Sequence, residues 1–320
     1  VNLEKSVLKT RFIVNPHSAG GATGRRIPEV RRRAEACFAD FDLRVTARAG
    51  QASELAAEAA GDGFELVVAV GGDGTANEVI NGLLVDGSPR SPGCAFACLP
   101  AGTGSDFVRT VGMPRDLGEA MRVLARGDRR PTDAYRADFR GPDGTPRVRY
   151  GINIVDAGMG GEVAMRVNSG SKQLGGTLNY LLGTLSALAA YRSPSAVVRW
   201  VDPGGNEQSW EGKLMSFIAA NGLYFGGGMH VGRGGSIQDG LLELSILPPL
   251  SPYTIVRNFH RLYSGELGRV EGVVRAQARS VEVTPSGDAP LRVDLDGEQP
   301  GVAPLRVQIL ERVLLVCARW

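Results

Sequence analysis

The hydrophobic pattern of the chain changes character once. Up to about residue 130, short runs of β-branched and aromatic residues alternate with stretches of helical character. "TRFIVNP" (10–16) predicts a first strand that ends in a turn. "GGATGRRIPEVRRRAEACF" follows as a glycine-rich turn and then a helix, with Pro28 suited to a first turn and Glu29 to a helix N-terminus. "FDLRVTA" predicts a second strand, and "QASELAAEAAGDG" a helix stopped by Gly61 and Gly63. "FELVVAVGGDG" predicts a third strand, whose near-continuous apolar run fits burial on both faces. "TANEVINGLL" is the next helix. "GCAFACLPAGTGSDFVRTVG" reads as strand, glycine turn and short helix, and "DLGEAMRVLARG" closes the series. Strand and helix in alternation, with short connections, predict an α/β layered domain with a mostly parallel sheet.

From Pro131 the pattern becomes that of an antiparallel β domain. "TDAYRADFR", "VRYGINIV", "SAVVRWVD", "LMSFIAANG", "LLELSIL", "ARSVEVTP" and "LRVDLDGE" predict strands separated by glycine and proline. One helical stretch interrupts them, "GTLNYLLGTLSALAAYR" (Gly176–Arg192). The last segment, "PLRVQILERVLLVCARW", is apolar and strand-like. The change of style near Pro131 sets the expected domain boundary. No internal repeat or low-complexity linker is found.

Composition narrows the class without naming a chemistry. The 320 residues suggest roughly two domains. The chain is 43% hydrophobic and 22% charged, ordinary for a globular protein with a real core. A net charge of +2 makes no demand for nucleic acid, and none is expected as a partner. Arginine is locally dense at Arg25-Arg26, Arg31-Arg32-Arg33 and Arg129-Arg130, which reads either as a solvated face or as contact with an anionic nucleotide or lipid. Cys37, Cys94, Cys98 and Cys317 form no CxxC pair and no zinc spacing, so a reduced, cytoplasmic setting is expected. No apolar run approaches the ~20 residues of a spanning helix, which leaves contact with a membrane from outside.

Three glycine-rich turns follow predicted strands: "NPHSAGGATG", "GGDGTAN" and "PAGTGSDF". In open α/β sheets ligands bind beyond the carboxyl ends of the strands. Three such turns in one domain can line a crevice with backbone N–H groups and helix N-termini, which suits phosphate. The sequence has no GxxxxGK[ST] loop, no GxGxxG opening a helix after the first strand, and no kinase-like HRD and DFG pair. Asp73 and Asp106 each sit in one of these turns. A carboxylate near phosphates is repelled unless a cation lies between them, and Mg²⁺ shared with phosphate oxygens removes the conflict. Alternatively, each aspartate caps the helix it precedes.

These residues carry a family resemblance. Gly71-Gly72-Asp73-Gly74-Thr75-Ala76-Asn77-Glu78, followed by Asn81-Gly82, resembles the catalytic motif of the soluble diacylglycerol kinase and lipid kinase family, which includes sphingosine and ceramide kinases. Asn15-Pro16-His17-Ser18 is similar to its first nucleotide loop and "PAGTGSDF" (100–107) to its third. "NGLYFGGGMHVGRGGSIQDGLLEL" (221–244) resembles its C-terminal domain motif, and "DLDGE" (294–298) its late acidic motif. GGDGT alone is shared with NAD kinases and phosphofructokinases; the later elements separate the lipid kinases from those relatives.

The resemblance implies a Rossmann-like α/β nucleotide-binding domain over residues 1–131, with 306–320 returning to it, and an antiparallel β-sandwich domain over 132–305 that binds a lipid substrate. It implies ATP held by Asn15, Pro16, His17, Ser18, Ala19, Thr46, the turn of Gly71, Gly72, Asp73, Gly74, Thr75, Ala76 and Asn77, and by Gly102, Thr103 and Asp106. A structural Mg²⁺ would be held by the Asp239 side chain and the carbonyls of Ser236 and Leu241. Glu298 would be the general base toward the lipid hydroxyl, and Asp73 would organise metal and nucleotide. From spacing alone Glu298 also reads as a hairpin-turn residue, and Asp239 as a turn aspartate before Gly240. The chain departs from the family pattern at Ala19, where glycine is usual, at Ser105, where asparagine is usual, and at Arg233, where proline is common.

The expected activity is transfer of the γ-phosphate of ATP to a lipid hydroxyl, with diacylglycerol as the first candidate. A sphingoid base or ceramide, NAD or a sugar phosphate are the alternative acceptors, and a non-catalytic binder is a third reading. The apolar stretch 178–191 is expected either to pack in the core or to wall an acyl channel and touch the membrane. The expected setting is cytoplasmic with peripheral membrane contact; the oligomeric state, a homodimer included, is left open.

Overall fold

The computed structural model describes residues 5–100, 106–160, 191–232 and 234–319. The predicted helix at 176–192 therefore lies outside the described residues, except Tyr191 and Arg192, which are not helical. Gly102, Thr103, Ser105 and Arg233 also lie outside them.

The first half alternates as its apolar pattern predicts. In chain order it contains β1 (Thr10–Val14), α1 (Ala22–Arg25), α2 (Ile27–Cys37), β2 (Phe41–Val45), α3 (Gln51–Gly61), β3 (Leu66–Gly71) and α4 (Asp73–Leu83). A minor hairpin of β4 (Leu84–Val85) and β5 (Ser88–Pro89) leads to β6 (Ala95–Pro100), α5 (Asp106–Thr110) and α6 (Leu117–Arg126). β1, β3 and β6 are buried at every residue, as a strand covered on both faces must be. The parallel order is β2-β1-β3-β6.

The second half is antiparallel. It holds β7 (Arg129–Arg140), β8 (Pro146–Gly151), β9 (Ile154–Gly158), β10 (Ser195–Val201), β11 (Glu207–Lys213) and β12 (Ser216–Ala220). After the two-residue strands β13 (Tyr224–Phe225) and β14 (Met229–His230) come β15 (Leu242–Leu247), α7 (Pro252–Asn258) and α8 (Arg261–Ser264). β16 (Val274–Ala278), β17 (Ser280–Pro285), β18 (Arg292–Leu295) and the 20-residue β19 (Glu298–Cys317) complete it. β16-β15-β12-β9-β18 form one antiparallel run, and β11-β10-β17 another; β19 pairs with both. Tyr135, Phe217, Leu244, Val283 and Leu305 meet in the core between them. The α/β plus β-sandwich class expected from the sequence is the class observed.

Two strands join the halves. β7 pairs with β19 from Arg140↔Val302 to Arg129↔Cys317, and the last residues of β19 continue the parallel sheet, with Leu315 opposite Ala95. Pro131 lies inside β7, opposite Leu315. The change of pattern at this residue therefore falls within one continuous strand.

Candidate active site

Parallel pairing aligns the strand ends that carry the glycine-rich turns. Val14 is opposite both Val45 and Val70, and Gly71 is opposite Pro100. Asn15, Thr46 and the turn at Gly71 therefore leave the same edge of the sheet, where an open α/β sheet binds ligands. The Asn15 side-chain amide donates to Thr75 Oγ1 at 3.2 Å, which ties the first turn to the GGDGT turn. Asn15 Oδ1 accepts the His17 N–H at 3.0 Å, and the Ser18 hydroxyl donates to the Asn15 carbonyl at 2.9 Å. Ala19 adopts φ +52°, followed by Gly20 at +62° and Gly21 at +85°. Ala19 stands in the left-handed region, where glycine carries no steric penalty. A side chain on Gly71 would collide with Thr75, so this position tolerates only glycine.

Asp73 does not cap its own helix. The N-cap of α4 is Gly72, without a side-chain cap. Asp73 instead accepts the N–H groups of Asp106 (3.2 Å) and Phe107 (3.3 Å), at the start of α5. Asp106 reaches across to the β domain and accepts the Gly227 N–H at 2.8 Å. Gly226, Gly227 and Gly228 of "YFGGGM" all have positive φ, the backbone region that favours glycine, and this turn presents the Gly227 N–H to Asp106.

Asp296 of the late acidic motif is the centre of the interface between the halves. It is buried, and its carboxylate accepts the Asn77 amide (2.9 Å), the Tyr135 hydroxyl (3.0 Å) and the N–H groups of Ile152, Asn153 and Ile154. Asn81, one helical turn after Asn77, accepts the Tyr150 N–H and donates to its carbonyl. Gly82 lets α4 approach α3, since a side chain there would strike the Ser53 carbonyl. Glu78 accepts the N–H groups of Gly50 and Ala52 and so caps α3. The motif that reads as nucleotide chemistry is thus also the joint that binds α4 to its neighbours.

Glu298 opens β19 beside this joint. A Cβ on Gly74 would lie 2.9 Å from Glu298 Oε1, so the glutamate stands over the first turn of α4. Its other oxygen pairs with Arg149 Nη1 at 2.7 Å, and both side chains keep 37% exposure. It does flank a hairpin turn, paired with Leu295 across Asp296-Gly297, and its side chain is half-buried and ion-paired.

A cavity of about 320 Å³ lies next to it, lined by the neighbouring Gly297 and not by Glu298 itself. One end is acidic, lined by Asp73, Asp106, Asp156, Asp294 and Asp296; the rest is chiefly apolar, with Ile154, Met159, Ile218, Phe225, Met229 and Leu247. Burial raises the Asp73 pKa from 3.8 to about 7, with the charges of Asp106 and Asp296 adding and the two N–H contacts opposing. Burial also raises Asp294, Asp296 and Asp106 above the usual carboxylate range.

Asp239 lies elsewhere and does not line the cavity. Its carboxylate accepts the N–H groups of Ser236 (2.9 Å) and Leu241 (3.0 Å), closing a turn. Asp133 holds the same turn through Gly240 and reaches β19 at Arg312. Among the described residues, no group of three or more His, Cys, Asp and Glu is placed to hold a metal by itself.

The sequence reading singled out Asp73, Asp106 and Glu298, and the structure gathers them at one corner. It missed the roles of Asp296, Asn77 and Asn81 as a linked set, and that of Asp294, which holds the turn beside them through the Gly297 N–H. Part of the signal was present: Asn77 and Asn81 are one helical turn apart, hence on one face of α4, whereas Asp296 lies past the end of β18, in the turn to β19, with φ +51°, so no strand period pointed to it.

Comparison with known proteins agrees with this geometry. Residues 9–137 match the diacylglycerol kinase catalytic domain, and residues 153–318 the YegS C-terminal NAD kinase beta sandwich-like domain. A probable lipid kinase YegS-like protein of Xanthomonas euvesicatoria is 31% identical over 270 residues, 84% of this chain and 83% of its own. A diacylglycerol kinase of Bacillus subtilis is 29% identical over 297 residues, 92% and 91% of the two chains. A solved structure described as a diacylglycerol kinase of Bacillus anthracis shares the fold, with a TM-score of 0.69, 19% identity and coverage of 97% and 96%. Because both family domains match in order and relatives align over most of their length, the chain belongs to the diacylglycerol kinase and YegS-like lipid kinase family and is a kinase.

Proposed function

We propose that this kinase transfers the γ-phosphate of ATP to the free hydroxyl of diacylglycerol, forming phosphatidic acid. The observation that carries this reading is the cavity: an apolar chamber that ends at buried carboxylates beneath the GGDGT turn. A long-chain acceptor places its apolar body in the chamber and its hydroxyl at the acidic end. The chain would work as two lobes, 1–131 with 306–320 and 132–305, closed by Asn77, Asn81 and Asp296.

ATP would lie along the aligned strand ends, its phosphates toward Asn15–Ala19, the third loop at Gly102 and Thr103, and the uncapped start of α4. Mg²⁺, when bound, neutralises phosphate charge. The residues fit it: Asp73 and Asp106 offer the all-oxygen donor set that this cation takes, and burial leaves Asp73 short of compensating charge. Each Asp73 oxygen keeps a second lone pair after its N–H contact. The turn of Ser236, Asp239 and Leu241 offers a second all-oxygen set, of structural character. Glu298, held by Arg149 over Gly74, would accept the hydroxyl proton as the oxygen attacks.

The test is direct. Purified protein is given ATP labelled in the γ-phosphate, Mg²⁺, and a panel of diacylglycerol, sphingoid base, ceramide and NAD. Label in phosphatidic acid is expected. Label confined to a sphingoid or ceramide phosphate would move the acceptor assignment, and label confined to NADP would overturn the lipid reading.

A further inference from the structure

After β15 the chain forms α7 and α8 and turns four large apolar side chains outward. Tyr253 is 72% exposed, Val256 67%, Phe259 41% and Tyr263 45%. Phe259 and His260, which join the two helices, keep helical dihedrals (φ −54°, ψ −39° and φ −59°, ψ −27°), so a spacing of three, three and four residues keeps the four on one side, and the rings of Phe259 and Tyr263 lie 5.7 Å apart. Ile255 and Leu262, between them, pack inward on the core around Ile218 and Leu247. The other large exposed hydrophobics among the described residues are Val7, Val45, Val85 and Val148, none of them aromatic and all remote in sequence. The patch is therefore a concentration and not the ordinary scatter of apolar surface.

Two further observations say what covers it. Phe259, Leu262 and Tyr263 also line the cavity, so the exposed face and the chamber wall are continuous. The segment Ser251–Ser264 carries Arg257, His260 and Arg261 and no acidic residue. Aromatic and aliphatic side chains flanked by arginine are the composition that settles into an anionic headgroup layer.

We propose that α7–α8 is the surface by which this protein docks on an anionic lipid bilayer, with the acceptor lipid entering the cavity past Phe259 and Tyr263. The proposal rests on the lipid-kinase reading for the identity of what passes through. A second copy of the chain is the competing occupant, and continuity with the chamber argues against it: a protein seated there would cover the entrance.

The experiment is flotation of the full chain with vesicles of phosphatidylcholine, with and without phosphatidylglycerol. It compares the parent with the double variant Tyr253→Ser, Val256→Ser, neither position lining the cavity. Binding by the parent should require phosphatidylglycerol and weaken with salt, and the double variant should bind about tenfold or more weakly. Turnover of diacylglycerol in vesicles should fall in step, while turnover of a short-chain diacylglycerol dissolved in buffer stays at the parent level. Unchanged vesicle binding by the variant would overturn the proposal. So would a dimeric parent made monomeric by the variant with vesicle binding intact. Flotation does not depend on phosphoryl transfer, so a parent that binds vesicles but phosphorylates no lipid counts against the kinase assignment alone.

Discussion

Single residues at this site do two jobs, and burial decides which can be seen. Asp73 shows it: its carboxylate caps α5, and burial raises its pKa to about 7. The folded chain thus keeps this proton up to about pH 7, whereas the unfolded chain releases it near 3.8. Between these values the unfolded state binds fewer protons, so stability falls as pH rises through the window. Asp106, Asp294 and Asp296 act in the same sense. Exposed Asp143 is lowered to about 2 by its contacts with Thr145 and Arg147 and works below that window. In thermal melts without nucleotide, Tm should drop from about pH 4 to about pH 7, and Asp73→Asn should flatten the slope. A Tm that climbs across this range would refute the burial argument. For Glu298, replacement by glutamine keeps the shape and removes the basic oxygen; kcat should fall by about 100-fold or more, with the KM for ATP near the parent value. Equal turnover in the variant would move the base elsewhere in the acidic corner.

At the scale of elements, the buried strands were legible and the exceptions have local causes. The run "VRYGINIV" reads as one strand but forms two, β8 and β9. Ile152 and Asn153 between them, and Ile154 at the start of β9, turn their N–H groups onto Asp296, which takes the backbone out of a simple ladder. β11 escapes the apolar pattern because it is a largely polar strand paired only with β10. α7 had a readable start in Ser251-Pro252, since the Ser251 hydroxyl accepts the Thr254 N–H at 3.0 Å and proline suits a first turn. α3 has the opposite arrangement: Gly50 supplies no cap, and Glu78 from α4 supplies it. Glu78→Ala should cost about 1 kcal/mol of unfolding free energy, the usual loss of a helix cap. Urea denaturation followed by circular dichroism measures it, and an unchanged midpoint would show that water replaces the cap.

At the scale of the molecule, β7 and β19 decide how the halves behave. Both strands run through the two cores, and Asp296, Asn77 and Asn81 close the seam between them. Separation of the lobes would break a ladder and expose a buried carboxylate together, so neither half should melt alone. Calorimetry on the ligand-free protein is expected to show one transition, with calorimetric and van't Hoff enthalpies equal. Two resolved peaks would mean that the paired strands do not couple the lobes.

The sequence by itself determined the class of each half, the three glycine turns and the phosphate-handling character of GGDGT. These depend on local periodicity and on backbone positions that only glycine fills, and both are written in short stretches. Only the tertiary structure decided which carboxylates share a corner, because Asp73, Asp106 and Asp296 are brought together by parallel register and by the long β19, not by spacing. It also decided that Glu78 and Asp106 bind neighbouring elements, and that an apolar chamber leads from the acidic corner to the exposed face of α7–α8. Such contacts join residues up to about 220 positions apart, as Asn77 and Asp296 are, and no local pattern encodes a partner at that distance.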